Sequence, residues 1–163
     1  NLRKASKLLD AAGWIVGDDG MRRNANGATL DVAFLERSPS FDRVILPYVE
    51  NLRTLGVNAS LNRVDSAQYS ELQQRFEYDI ITTQIGNGYE PGSDLRQGFG
   101  MESAQGSIFN PMGYGSPAAD ELIDVVMATK TRAELHVAGR ALDRVLRAEN
   151  FWVPQWFREE SGP

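Results

Sequence analysis

The residues best suited to chemistry in this 163-residue chain lie in one glycine-rich run and at one arginine far before it. The stretch Tyr78–Gly92 reads YDIITTQIGNGYEPG. Ile80, Ile81 and Ile85, with β-branched Thr82 and Thr83 between them, suit a buried strand. Gly86, Asn87, Gly88, Tyr89, Glu90, Pro91 and Gly92 then break it, because such a run cannot stay extended. Two glycines around Asn87 let a backbone come close to a ligand, and Gln84, Tyr89 and Glu90 add polar groups beside it. Arg37 follows an earlier apolar alternation. A guanidinium can grip a carboxylate or phosphate through two parallel bonds. Asn87 donates and accepts hydrogen bonds but cannot neutralise an ammonium group. A ligand with an anionic or acceptor-rich end at Arg37 is therefore expected, its other end held by backbone and neutral groups. Two competing readings stand beside this one. The glycine run is an ordinary turn, and Arg37 is a surface arginine paired with Glu36 or Asp42.

Catalytic constellations are thin. His136 is the only histidine and falls in the middle of a helical pattern, where a satisfied or solvent-facing role is expected. The sequence contains no His-Glu-x-x-His, no Walker loop and no Gly-x-Ser-x-Gly. Asp18-Asp19 and Glu159-Glu160 read as solvated charges. Gly86-x-Gly88 lacks the third glycine and the following helix of a dinucleotide fingerprint. With no cysteine, disulfides and thiolate metal sites are excluded, a composition that fits an exported protein. No metal and no cofactor are expected, and the chain reads as a non-enzyme. Net charge is −5, pI is about 4.9 and there is no basic block, so nucleic acid is not an expected partner. No apolar run approaches the roughly 18 residues of a membrane span.

The elements that must position these groups follow from periodicity. Leu2, Ala5, Leu8, Leu9 and Ala12 form a helical stripe, with Asn1 and Gly13 as caps. Asp19-Gly20 and Asn26-Gly27 mark a small hairpin or loop over residues 17–28. Residues 30–35 alternate as a strand. Phe41, Val44, Ile45, Tyr48, Val49, Leu52 and Leu55 are spaced for one helical face, which Ser40 caps and Gly56 ends. Pro47 inside it costs about 3 kcal/mol, so a kinked helix is expected. Residues 57–64 form a second strand, Asp65 or Ser66 opens a short helix through Phe76, and residues 78–85 form the third strand. This β-α-β-α-β order implies parallel strands. Arg37 and the loop at residues 86–90 would then share the carboxyl edge of one sheet, where open α/β sheets bind ligands. A turn or short helix at residues 94–99 and a loop over residues 100–115 come next. Ser116-Pro117 opens a helix with Leu122, Ile123, Val126 and Met127 as its buried face. Thr131-x-x-Glu134 is a capping box for a last helix, which buries Leu135, Ala138, Leu142, Val145 and Leu146 on one side. Phe151, Trp152, Val153, Pro154, Trp156 and Phe157 form an extended aromatic segment suited to packing and leading toward a hinge.

Several short motifs, in order, resemble one family. They are Lys4-Ala5 with Leu8-Leu9-Asp10-Ala11-Ala12-Gly13-Trp14, then Asp19-Gly20-Met21-Arg22, then Leu46-Pro47-Tyr48 with Asn51-Leu52 and Leu55-Gly56-Val57. Val64-Asp65 with Gln68-Tyr69, and Tyr78-Asp79-Ile80, follow. Later come Ser107, Asn110, Gly113, Pro117, Asp120-Glu121-Leu122-Ile123 and Ala141-Leu142-Asp143-Arg144-Val145-Leu146. Together they resemble the C-terminal lobe of family 5 extracellular solute-binding proteins, the dipeptide- and oligopeptide-binding components of ABC importers. Phe99-Gly100 with Ala104, Gly106-Ser107 and Asn110 is most similar to the oligopeptide and microcin-C-type branch.

The resemblance implies an α/β fold, a periplasmic-binding-protein-like (type II) C-terminal lobe with a mainly parallel sheet flanked by helices. Residues 1–163 would be one lobe, a piece of a longer two-lobed protein that closes on its ligand about a hinge. It implies a substrate-binding component that takes peptides or related small solutes for import. The implied partners are a missing N-terminal lobe and an ABC permease in the membrane. The implied location is periplasmic or extracellular, membrane-associated in the parent protein. It also implies a ligand-carboxylate role for Arg37. At Asn87 the dipeptide binders carry an aspartate that pairs with the ligand's amino group, and at Gln84 they carry a tryptophan. This chain departs from both. A receiver-like α/β signalling module is the alternative. It wants a phosphorylatable aspartate at a strand end, whereas Asp79 stands at a strand start.

Overall fold

The computed structural model describes residues 1–84 and 91–155. Its chain divides into two compact units, Asn1–Gln84 and Ile85–Pro163.

The first unit opens with helix α1 (Leu2–Ala11), after which Gly13 adopts φ +85°. The apolar stripe expected of α1 is only partly covered: Leu9 packs on the core, while Leu2 and Leu8 are exposed. A two-stranded antiparallel hairpin follows, β1 (Ile15–Val16) with β2 (Arg22–Arg23), as the turn residues predict. Strand β3 (Asp31–Glu36) leads through a 3-10 turn at Pro39–Phe41 to helix α2 (Asp42–Thr54). Ser40 does not cap α2, whose N-cap is Phe41 without a side-chain bond; Ser38 instead caps the preceding 3-10 turn, its hydroxyl accepting from the Ser40 amide. Its extended backbone at φ −112° puts the oxygen ahead of the turn, the geometry a cap needs. The α2 helix continues through Pro47, with Ile45 and Val49 buried. Strand β4 (Asn58–Arg63), helix α3 (Ser66–Gln74) and strand β5 (Ile80–Ile81) complete the unit. Asp65 caps α3 by accepting from the Ala67 and Gln68 amides at 2.8 and 2.9 Å.

The sheet is parallel, in the order β4-β3-β5. All three sequence-predicted strands are therefore in one sheet. β3 and β4 pair in register from Asp31↔Asn58 to Glu36↔Arg63. Phe34, Ile45, Val49, Val57 and Ala59 form the core between this pair and α2.

The third strand is much shorter than residues 78–85. Only Ile80 and Ile81 pair, opposite Phe34 and Leu35. Its residues are half-buried, not fully buried. One step earlier the Asp79 carboxylate accepts the Ala33 amide at 2.8 Å. A side chain thus takes the place of a main-chain partner, and the ladder starts only after it. Thr82, Thr83 and Gln84 carry no regular structure, and Ile85 lies outside the described residues.

The second unit is helical: α4 (Ser93–Phe99), a 3-10 turn at Ser103–Gln105, α5 (Pro117–Ala128) and α6 (Arg132–Ala148). Leu95, Phe99, Tyr114, Ala119, Ile123, Val126, Ala138, Leu142 and Leu146 form its core. Met127, expected on the buried face of α5, is exposed; Ala119 takes the place nearer the core. Met127 stands one position past Val126, about 100° round the helix from it, on a more exposed side. In the intervening loop Asn110 is fully buried and satisfied, donating to Ser103 Oγ and the Tyr114 carbonyl and accepting the Tyr114 amide. Phe151 and Trp152 pack on this core, the Phe151 ring stacked 4.2 Å from that of Tyr114. Trp156 and Phe157 lie outside the described residues.

Both side-chain caps predicted in this unit form, whereas Asn1 makes no side-chain bond at the start of α1. Ser116 Oγ accepts from Ala119 N with Pro117 at the first helical position. Thr131 and Glu134 make the reciprocal box, the Glu134 carboxylate accepting both the Lys130 and Thr131 amides. Those two amides hold the Glu134 carboxyl below its ordinary range. A depressed folded-state pKa contributes stability above the unfolded-state value and loses it as pH falls through the folded one. Thr131→Ala is expected to cost about 1 kcal/mol of stability. Glu134→Gln is expected to leave a shallower loss of stability between neutral pH and about pH 3. Urea titrations across that range check both, and an unaltered acid limb in Glu134→Gln would contradict the second.

Candidate functional site

The carboxyl edge of the β3–β4 pair brings Glu36, Arg37, Asp42 and Arg63 together. β3 ends on Glu36, whose side chain is buried although it is a carboxylate. Burial of a charge requires compensation. Glu36 Oε1 receives it from the next two backbone amides, Arg37 at 2.8 Å and Ser38 at 3.0 Å. The Val64 amide adds a bond to the Glu36 carbonyl, extending the pairing past the end of β4. Across the same edge Arg63 forms an ion pair with Asp42, the first residue of α2.

These pairings decide how Arg37 is used. Its two neighbouring acids are both committed, Glu36 to backbone amides and Asp42 to Arg63. Among the described residues no carboxylate pairs with the Arg37 guanidinium. Instead the group sits over the ring of Tyr69, with Cζ 5.0 Å from the ring centroid. Tyr69 stands in the first turns of α3, which starts at this edge because β4 delivers the chain there and Asp65 caps it. Burial, and then the Glu36 charge, push the Tyr69 phenol up. Burial does the same for Tyr78. Both rings therefore remain neutral at physiological pH.

Of the site residues read from the sequence, the structure places Arg37 and Gln84. Arg37 is two residues past Leu35 and Gln84 three past Ile81, and those two strand residues are register partners in parallel strands. Both residues thus follow neighbouring strand ends in sequence, and both are exposed. Gly86, Asn87, Gly88, Tyr89 and Glu90 lie outside the described residues. Tyr69 and Glu36 are the members that sequence reasoning missed. The available signal was the start of α3: a residue one turn into a helix that follows a strand's carboxyl end stays near that end.

Other features of the described residues carry less chemistry. No group of three or more His, Asp or Glu residues is arranged to hold a metal ion. His136 is exposed on α6, the solvent-facing position expected of it. Asp79 spends one carboxylate oxygen on the Ala33 amide and stands just before β5, not at the strand end that the receiver-like reading wants. No helix is long and apolar enough to cross a membrane.

Comparison with known proteins converges on one family. The sequence pattern described as "Bacterial extracellular solute-binding proteins, family 5 Middle" matches residues 1–107. The probable peptide-binding protein YejA of Agrobacterium fabrum is 38% identical over 162 residues, covering 98% of this chain and 26% of that protein. The chain thus spans about a quarter of the length of the curated relatives it matches. Among solved structures, a Thermotoga maritima periplasmic oligopeptide-binding protein with bound mannohexaose superposes with TM-score 0.80 at 19% identity, over 97% of this chain and 31% of that one. Bacillus subtilis AppA, an oligopeptide-binding protein in complex with a nonapeptide, gives TM-score 0.79 at 15% identity, over 93% and 30%. At those identities the likeness speaks for the fold: α/β with a parallel sheet flanked by helices, as in type II periplasmic binding proteins.

Proposed function

The chain belongs to the bacterial extracellular solute-binding proteins of family 5, and we propose that it is one lobe of the substrate-binding component of an ABC importer for peptides or peptide-like solutes. In this reading residues 1–163 form part of a two-lobed parent that works in the periplasm or outside the cell. The parent supplies the N-terminal lobe, closes on its ligand and delivers it to an ABC permease. Its role is binding, without catalysis.

The observation that carries the reading is the state of Arg37. A cation stands at the carboxyl edge of a parallel sheet, exposed, with the nearest acids engaged elsewhere. Such an edge is where α/β sheets bind ligands. A charge with no carboxylate partner among the described residues is available to a ligand's carboxylate. We assign Gln84, Gly86, Asn87, Gly88, Tyr89 and Glu90, which follow β5 in sequence, to the same proposed site, where backbone and mainly uncharged side chains would hold the rest of the ligand.

A hydrogen bond to a charged group is worth about 1.5–3 kcal/mol, which is roughly tenfold to hundredfold in affinity. Calorimetry on the parent protein with a defined set of short peptides tests the proposal. Arg37→Ala is expected to weaken binding by at least about tenfold, and Asn87→Asp to favour peptides with a free amino terminus over acetylated ones. The 163-residue chain by itself is expected to bind them weakly, because closure by the other lobe supplies contacts and excludes water. Unchanged affinity in Arg37→Ala would remove Arg37 from the site.

A further inference from the structure

We propose that Tyr69 is the positioning residue of Arg37, an inference that rests on the reading of Arg37 as a ligand-facing cation. The Tyr69 ring holds the guanidinium at the sheet edge without neutralising it. The site so built selects ligands that end in a carboxylate or a phosphate.

The argument starts from what Arg37 is denied. The carboxylate beside it in sequence, Glu36, is 5% exposed and fastened by the amides of Arg37 and Ser38. Releasing it to pair with the Arg37 side chain would leave two backbone donors without their acceptor. Asp42 is held by Arg63. Among the described residues, what remains for the guanidinium is the Tyr69 ring face, and a ring face attracts a cation through its quadrupole while carrying no net charge. An arginine held this way keeps its full positive charge and its planar fork of N–H donors for an incoming anion.

Tyr69 is itself well anchored. It is 7% exposed, its amide donates to the Asp65 carbonyl at 2.9 Å, and Asp65 caps the same turn through Ala67 and Gln68. A flexible arginine loses several rotamers when it binds a ligand. One already resting on a fixed ring loses fewer, so more of the ion-pair energy appears as affinity.

The test uses the isotope-labelled 163-residue chain and inorganic phosphate as the probe anion, with the Arg37 Nε–Hε and Hδ signals read by NMR. In the native chain and in Tyr69→Phe, the Arg37 protons are expected to show a ring-current shift and to move on phosphate addition. In Tyr69→Leu the ring shift should vanish, and the half-saturating phosphate concentration should rise roughly threefold to tenfold. Because Tyr69 is buried, that variant has a companion in which Tyr69 is replaced by a trifluorinated phenylalanine. The companion keeps the ring's size and weakens its quadrupole, and its phosphate response should shift the same way. Equal phosphate titration of Arg37 in the native, leucine and fluorinated chains would overturn the positioning role while leaving Arg37 as an anion site. Arg37 signals that ignore phosphate in the native chain would instead overturn Arg37 as the anion-holding group, and the ring contact would then be packing alone.

Discussion

Arg22→Met is expected to lower the unfolding free energy of this protein by about 4 kcal/mol. Arg22 stands on β2 with its side chain 1% exposed, the largest fully buried side chain among the described residues. Its guanidinium is a hub. Nε donates to the Leu55 carbonyl at 2.6 Å. Nη1 donates to Asp10 Oδ1 at 2.6 Å and to the Trp14 carbonyl at 2.5 Å. Nη2 donates to Ser6 Oγ at 2.7 Å. One side chain therefore joins α1, the segment leading into β1 and the last turn of α2. Methionine has similar reach but no donors. The loss combines several hydrogen bonds, each worth about 1 kcal/mol net, with carbonyls left unpaired at about 1–3 kcal/mol each. Asp10 limits the damage, because its side chain is half exposed and water can replace its partner. Arg22→Lys retains the charge, but one ammonium cannot serve Leu55, Trp14 and Ser6 together, so it should recover less than half. Urea unfolding followed by circular dichroism gives the comparison. A loss below about 1 kcal/mol in Arg22→Met would show that the network is replaceable by packing.

That hub marks where sequence reading stops. Asp19-Gly20-Met21-Arg22 was visible as a motif, and the turn at Asp19-Gly20 could be read from local chemistry. The four partners of Arg22 could not: Ser6 and Asp10, four residues apart, share one face of α1, but nothing local says that Arg22 and Leu55 meet that face. Features confined to a few neighbouring residues were legible. Ser116 with Pro117, and Thr131 with Glu134, cap helices because an oxygen at the right offset meets amides that the helix itself leaves open. The β3–β4 pair was legible for a similar reason, alternation being a property of each strand alone.

Errors gathered where a competing partner decided the outcome. Residues 78–85 have the composition of a long buried strand, yet the Asp79 side chain takes the Ala33 amide and only Ile80 and Ile81 pair. The stripe on α1 has helical spacing, but spacing does not say whether anything lies against it, and Leu8 is 60% exposed. At the candidate site Arg37 was found from its place after a strand. Whether Glu36 would neutralise it depended on two backbone amides, and Tyr69 became its neighbour through a helix start that only the fold brings to that edge. The order of short motifs pointed to the family more firmly than any single site residue did.

Gly56→Ala and Gly13→Ala form a pair whose difference isolates a close approach of backbone to backbone. Both glycines have φ +85°, a conformation that costs a residue with a Cβ about 1–2 kcal/mol. Around Gly13 a Cβ would meet nothing within 4 Å. Around Gly56 it would lie 2.6 Å from the Gly20 carbonyl oxygen and 3.2 Å from Arg22 Cγ. Neither neighbour can yield cheaply. The Gly20 carbonyl belongs to the turn joining β1 and β2, and Arg22 is held by its own network and by a 2.7 Å bond from its amide to the Gly56 carbonyl. The clash therefore transfers to the hub described above. Gly13→Ala is expected to cost about 1 kcal/mol, and Gly56→Ala about 3 kcal/mol or more. In an Arg22→Met background the excess cost of Gly56→Ala should shrink, since the side chain that fixes the site is gone. Urea unfolding of the four chains supplies this cycle. Equal losses for the two single glycine variants would mean that backbone conformation alone sets the cost, and that α2 ends against the hairpin with room to spare.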